Sequence, residues 1–251
     1  MKTTIAFVIV SCEKYSDLWG TMVDSISKHW PEITENLYIL SDKPAPSAVP
    51  LVVSNENLSW SDNLLFLLGR FEYSHTHVFL MMEDGPFIKR VNDERIKNIF
   101  NLFFESNGSF LTLLNEPAAT SKGNCFFGPI GRDSPYRPTA TFALWEISAL
   151  KRVLRAGETA WEFEKKGARR VEGEDGYFSC FKSELSCLHV VVKGKLVRGV
   201  RAKLKEHGLA LETTRAELSL LETIFGALYH HTRKLIFILT PTEWRKRLVR
   251  V

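Results

Sequence analysis

The chain has 251 residues, 45% of them apolar and 25% charged, which suits one sizeable α/β domain with an appendage, and no run approaches the roughly 20 apolar residues that a membrane-spanning helix needs. Formal net charge is +4, divided as −5 over residues 1–150 and +9 over residues 151–251, so a basic C-terminal part on a mildly acidic body predicts contact with an anionic surface. Cys12, Cys125, Cys180 and Cys187 show no C-x-x-C spacing, which argues against a structural zinc site and fits reduced thiols in a cytosolic protein.

Thr4–Val10 reads as a buried first strand. Ile9-Val10-Ser11-Cys12 superficially resembles a lipoprotein cleavage site, but the apolar run before it is too short for a signal h-region, so no signal peptide is expected. Ser11 to Tyr15 form a polar loop, and Ser16 is placed to cap a helix running to about His29, with Pro31 as its stop. Leu37–Leu40 is a second strand ending at Ser41-Asp42, and Leu51–Val53 a short third. Ser59-Trp60-Ser61-Asp62-Asn63 precedes an apolar helix to Phe71, with natural cap residues at its start.

The most informative stretch follows. Val78–Met82 is a short apolar strand that ends in two carboxylates, Glu83 and Asp84, and then turns at Gly85-Pro86. Ligands of open α/β sheets bind just beyond the carboxyl ends of the strands. An acidic pair there is unfavourable without a cation, and Mg²⁺ characteristically takes one or two carboxylates plus substrate phosphates.

Asn92 or Asp93 caps a helix to about Glu105, and Ser109–Leu114 is another strand. Residues 115–138 are irregular, a length that inside a compact domain points to function or mobility. Thr139–Leu144 resumes strand character. Glu146–Arg155 is an amphipathic helix closed by Gly157. Thr159 is placed to cap a short helix through Glu164, with Arg169–Asp175 as loop. Leu188–Val192 is a strand, and Leu196–His207 a basic helix.

From Thr213 the pattern is helical alone. The expected division is 1–212 as an α/β domain with a mostly parallel sheet, and 213–251 as an amphipathic basic helical tail. That tail holds seven Lys/Arg and three Asp/Glu. Leu218, Leu221, Ile224 and Phe225 recur at helical spacing. Thr240–Glu243 starts a further helix, and Trp244–Leu248 mixes an aromatic with cations, as in helices lying at a lipid interface. The alternative is a terminal helix packed on the body or on another subunit. Nucleic acid is disfavoured, because the cations lack interleaved aromatic platforms.

Candidate site residues follow from these positions. Cys12, Glu13 and Tyr15 lie in the loop after the first strand, which abuts a ligand crevice in α/β folds. Ser61, Asp62 and Asn63, at a helix start, are placed to bond a base or ribose, and Asp42 is a further nucleotide contact. Glu162 and Glu164 flank an aromatic, a neighbourhood that can raise a carboxyl towards the range of a general base. Lys165, Lys166, Arg169 and Arg170 are placed to neutralise a leaving diphosphate. His75-x-His77 is read as a surface pair at the strand start.

In order and spacing, Ser-Trp-Ser-Asp-Asn-Leu at 59–64, Met-Glu-Asp-Gly at 82–85, Ala-Leu-Trp at 143–145, Gly-Glu-Thr-Ala-Trp-Glu-Phe-Glu at 157–164 and Val-Val-Lys-Gly-Lys at 191–195 resemble a bacterial GT-A-fold glycosyltransferase of lipopolysaccharide O-antigen or capsule synthesis, over about residues 4–207. The resemblance implies a GT-A-like, Rossmann-type sandwich and sugar transfer from a nucleotide-sugar donor to a hydroxyl of a growing, lipid-linked glycan. The enzyme would be cytoplasmic and peripheral on the inner membrane face. It further implies that Glu83 and Asp84 bind the donor diphosphate through Mn²⁺ or Mg²⁺, although this chain has Glu-Asp-Gly where the family carries Asp-x-Asp. If transfer inverts, Glu162 or Glu164 would be the base. Two other readings share the fold: a metal-dependent sugar-phosphate nucleotidyltransferase, disfavoured by the absence of Gly from Ser11–Tyr15, and a non-catalytic membrane-associated member.

Overall fold

A computed structural model describes residues 3–55, 57–120, 123–134 and 136–226. The expected Thr240–Glu243 helix start and the Trp244–Leu248 segment lie outside the described residues. The core is an eight-stranded sheet of β1 (Ile5–Val10), β2 (Leu37–Ser41), β3 (Leu51–Val53), β4 (His77–Met82), β5 (Phe110–Thr112), β6 (Phe127–Pro129), β7 (Ala143–Glu146) and β8 (Tyr177–Cys180). Their order is β3-β2-β1-β4-β7-β5-β8-β6. Only β7 and β6 run against the rest. This is the α/β sandwich with a mostly parallel sheet that the sequence predicts.

The central strands are apolar on both faces because helices cover both. From β1, Phe7 and Ile9 enter one core with Met22, Ile26, Phe100 and Phe103 of α1 (Trp19–His29) and α3 (Asp93–Glu105). Ala6, Val8 and Val10 enter the other with Leu64, Leu67, Leu150 and Phe163 of α2 (Trp60–Phe71), α4 (Ile147–Val153) and α5 (Ala160–Arg170). A third cluster joins Leu18 to Val191 and Leu196, on the hairpin β9 (Val191–Val192) and β10 (Lys195–Leu196), and to Val200 and Leu204 of α6 (Val200–Glu206).

Several elements differ from expectation. A 3₁₀ turn, Glu13–Leu18, precedes α1 and absorbs Ser16. Residues 115–138 contain β6, which completes the sheet beside β8. The resumed strand starts later, at Ala143, after Phe142 turns the chain with φ +51°. Helix α5 runs on through Arg169 and Arg170, where cations suit the negative helix end.

Candidate functional site at the carboxyl edge of the sheet

Strands β2, β1 and β4 are parallel neighbours, so their carboxyl ends share one edge. The chain passes from β1 outward to β2 and β3, then returns to the other side of β1 as β4. The order therefore reverses between β1 and β4, the place where diverging loops open a ligand crevice in α/β sheets. Val10 pairs with Met82, so the next residues, Ser11 and Glu83, face each other across this reversal. Residues 12–15 and 83–84 thereby leave adjacent strands at the same edge of the sheet.

The two adjacent acids point different ways, as successive residues leaving a strand do. Glu83 is tucked inward and only 6% exposed. Its Oε2 has no hydrogen-bond partner. Burial, helped by the neighbouring Asp84 charge, pushes its carboxyl up to about 7, against the opposing effects of its own backbone amide and the Ser11 hydroxyl. Asp84 is more open. Burial raises its pKa as well, with His189 opposing; His189 Nδ1 lies 3.3 Å from Asp84 Oδ2. The His189 position is set by main-chain lacing, in which Val190 N–H donates to the Asp84 carbonyl at 2.9 Å and Leu188 N–H to that of Pro86 at 3.0 Å. The Glu-Asp-Gly form also has a steric reason: a Cβ on Gly85 would stand 2.7 Å from Phe142 Cζ, closer than packed carbons approach.

The loop after β1 forms the facing wall. Glu13 N–H donates to Asp42 Oδ1 at 2.7 Å, joining the ends of β1 and β2. Cys12 sits close enough to Glu83 and Asp42 that burial first, then both charges, raise its thiol pKa, so it is a neutral wall rather than a nucleophile. The ring of Tyr15 lies under the guanidinium of Arg215, 4.3 Å from its centroid. Cys12, Glu13, Asp42 and Glu83 thus gather at this edge of the sheet with Asp84 next in the chain, while Tyr15 packs on the third cluster beneath Arg215.

Ser61, Asp62 and Asn63 lie at the start of α2, with their polar atoms engaged inside the protein. Ser59 caps the helix by accepting from Asp62 N–H. Ser61 Oγ accepts from Glu158 N–H at 2.9 Å, and Asp62 Oδ2 from Gly157 N–H at 3.0 Å. Hydrogen bonds from Ser59 and Gly157 hold Asp62 below the usual carboxylate range. Asn63 Oδ1 accepts from the Ser54 hydroxyl, and Ser54 N–H in turn donates to the Ser41 carbonyl. These side chains fasten α2 to the end of β2 and to the loop entering α5.

The two acids of α5 differ sharply. Glu162 closes a capping box with Thr159 and pairs with Lys166 at 3.0 Å. The Thr159 amide, Lys166 and the Thr159 hydroxyl depress its pKa to about 2. Glu164 is largely enclosed and accepts from Ala140 N–H at 2.8 Å; burial raises its pKa. Of the basic run, Arg170 donates from Nη2 to both oxygens of buried Glu158 at 2.6 and 2.7 Å, and Lys166 is held by Glu162. His77 packs on Phe104 at the opposite, amino edge of the sheet.

Sequence reasoning did not single out Glu158, Asp17, His189 or Arg215. Each matters through a partner 12 or more residues away, so no short spacing marks it.

A divalent cation fits this crevice as a partly protein-ligated ion. Asp84 is partly exposed beside His189, and Glu83 offers an oxygen without a partner. Among the described residues no three His, Cys, Asp or Glu side chains are grouped to hold a metal alone. Water and substrate phosphate would complete the shell, as Mg²⁺ tolerates.

No family model matches the chain, and no curated protein matches it in sequence. Among solved structures, the chain is similar to A197 from STIV (12% identity, 86% of this chain and 98% of that one, TM-score 0.46). It is also similar to a cytidylyltransferase from Leptospira borgpetersenii (12%, 92% and 96%, 0.47) and to S. aureus TarS 1-349 (9%, 97% and 77%, 0.49). Such distant likenesses bear on neither reaction nor substrate.

Proposed function

We propose that this chain is a GT-A-type glycosyltransferase that moves a sugar from a nucleotide-sugar donor to a hydroxyl of a growing surface glycan, with a lipid-linked acceptor. The observation that carries this reading is the placement of Glu83 and Asp84 beside Cys12–Tyr15 at the reversal between β1 and β4. Asp84, with Glu83, would hold Mn²⁺ or Mg²⁺, whose chemistry is to neutralise the pyrophosphate as the glycosidic bond breaks. The crevice itself argues for a cation: Glu13, Asp42, Glu83 and Asp84 would repel a pyrophosphate, and the Arg215 guanidinium is already paired with Asp17.

In this scheme the β1 loop and Asp42 orient the nucleoside. The Ser61–Asn63 bonds, with Glu158–Arg170, keep α2 and α5 fixed behind it. Of the two acids of α5, Glu164 is the better base, because burial holds its carboxyl in a more basic range. It would take the proton of the incoming hydroxyl if transfer inverts. Peripheral attachment to a membrane is supported by Leu220, Leu221, Ile224 and Phe225, which stand 52–66% exposed on one side of the helical segment at 220–226. Among the described residues, no helix is long and apolar enough to cross a membrane.

The test is product analysis with a panel of UDP, GDP, dTDP and CMP sugars in Mn²⁺. Release of free nucleotide, stimulated by a glycan acceptor, is expected. Release of pyrophosphate from a nucleoside triphosphate would instead show nucleotidyl transfer and overturn the proposal.

A further inference from the structure

The loop after β1, at the edge where Glu83 lies, is held from outside by one side chain nearly two hundred residues away in sequence. Its inner end is fixed by Asp42 and by Ser11 N–H donating to the Leu40 carbonyl at 3.0 Å. Its outer end, Lys14 to Asp17, meets Arg215. Nε and Nη2 of Arg215 each donate to one Asp17 oxygen at 2.8 Å. Nη2 also donates to the Lys14 carbonyl at 2.6 Å, and the guanidinium plane covers Tyr15. Thr213 adds a hydroxyl bond to Asp17.

Arg215 is itself well anchored. Its Nη1 reaches the Gly194 carbonyl at 3.3 Å. Leu196 N–H donates to the Ala216 carbonyl at 2.9 Å, and Leu218 N–H to that of Leu196 at 2.8 Å, so residues 216–218 lie alongside β10. Arg201 donates to the carbonyls of Leu211 and Thr213 at 2.8 and 2.6 Å. The Arg215 side chain is only 12% exposed, and its charge reaches Glu83, where it favours the ionised form.

We infer that Arg215 is a positioning residue of the donor crevice, acting through Asp17 and Tyr15, and that residues 213–218 work with the transferase body. The inference rests on the nucleotide-sugar reading for its ligand. A rigid, planar fork that serves two carboxylate oxygens, a carbonyl and a ring face at once requires arginine; lysine supplies one compact charge. Without the clamp, the Cys12–Tyr15 wall loses its outer support while Asp84 and Glu164 keep theirs. The fault should therefore fall on donor binding more than on chemistry.

The experiment uses the full chain with Arg215→Ala, Arg215→Lys and Asp17→Asn, each verified as folded by thermal melt. Hydrogen exchange without ligand is read first: faster exchange of the 12–18 amides, with those of α1 unchanged, is expected in all three. Donor Kd is then measured by calorimetry in Mn²⁺, using whichever UDP, GDP, dTDP or CMP sugar the wild type binds. About a tenfold weakening is expected, together with raised KM and kcat within about threefold. Arg215→Ala and Asp17→Asn should not add when combined, since they remove one interaction. Unchanged 12–18 exchange in folded variants overturns the clamp whatever the ligand. Unchanged donor Kd with faster exchange overturns its role in binding. Failure of the wild type to bind any donor, with the exchange result as expected, would strike the nucleotide-sugar reading and not the clamp. If Arg215→Ala fails to fold, Arg215→Lys and Asp17→Asn decide the same points.

Discussion

Glu83 and Asp84 are one peptide bond apart and differ because Glu83 is sealed while Asp84 is partly exposed and paired with His189. Since burial raises the Glu83 pKa from its ordinary value to about 7, the folded protein holds a proton there that the unfolded chain has released above about 4.5. The stabilisation is complete below the unfolded value and is lost as pH rises through 7. Glu83→Gln should remove this dependence: relative to the variant, the wild type loses on the order of 2 kcal/mol between pH 5 and pH 8, read as a widening gap in denaturant midpoints. A constant gap would mean that Glu83 is ionised throughout. The acids of α5 give a second comparison. Glu162→Gln should leave turnover nearly intact and slightly lower Tm through its cap, whereas Glu164→Gln should reduce kcat by about a hundredfold; the reverse ranking would place the base on the exposed face. These roles were only half legible in the sequence. Contiguous motifs marked Cys12, Glu83 and Asp84 as candidates, but burial, which separates Glu83 from Asp84 and Glu164 from Glu162, is a property of packing across the fold.

At the scale of elements, local signals were strong where one residue does a local job. Thr159, Ser59 and Asn92 each cap the helix they precede, as their side chains imply. Thr159→Ala should therefore lower stability by about 1 kcal/mol without altering donor affinity. Elements defined by distant pairing were not legible. Strand β8, only Tyr177–Cys180, follows a charged loop and exists because it fits between β5 and β6. Helix α5 continues to Arg170 because that guanidinium meets Glu158 a full helix length earlier. Breaking this pair with Glu158→Ala should cost about 3 kcal/mol, since it strands a largely enclosed guanidinium. A loss no larger than that of Thr159→Ala, in the same melts, would show the pair to be solvent-screened.

At the scale of the whole molecule, residues 213–226, which carry Arg215 against Glu217 and Glu222, present two different faces. Arg215 faces inward to the acidic β1 loop, and the apolar face at 220–225 faces outward. The two roles separate experimentally. A chain ending at Leu218 keeps Arg215 and loses the apolar face, so it should lose co-sedimentation with anionic phospholipid vesicles while keeping donor affinity; unchanged sedimentation would refute membrane attachment through this segment. The central claim, that the acids closing β4 receive an activated sugar's pyrophosphate, is tested most directly by calorimetric titration of nucleotide sugars in Mn²⁺ into the wild type and Asp84→Asn. The expected result is one donor bound by the wild type and at least tenfold weaker binding by a fully folded variant. Equal affinity in the two proteins, or no donor bound by the wild type, would contradict it.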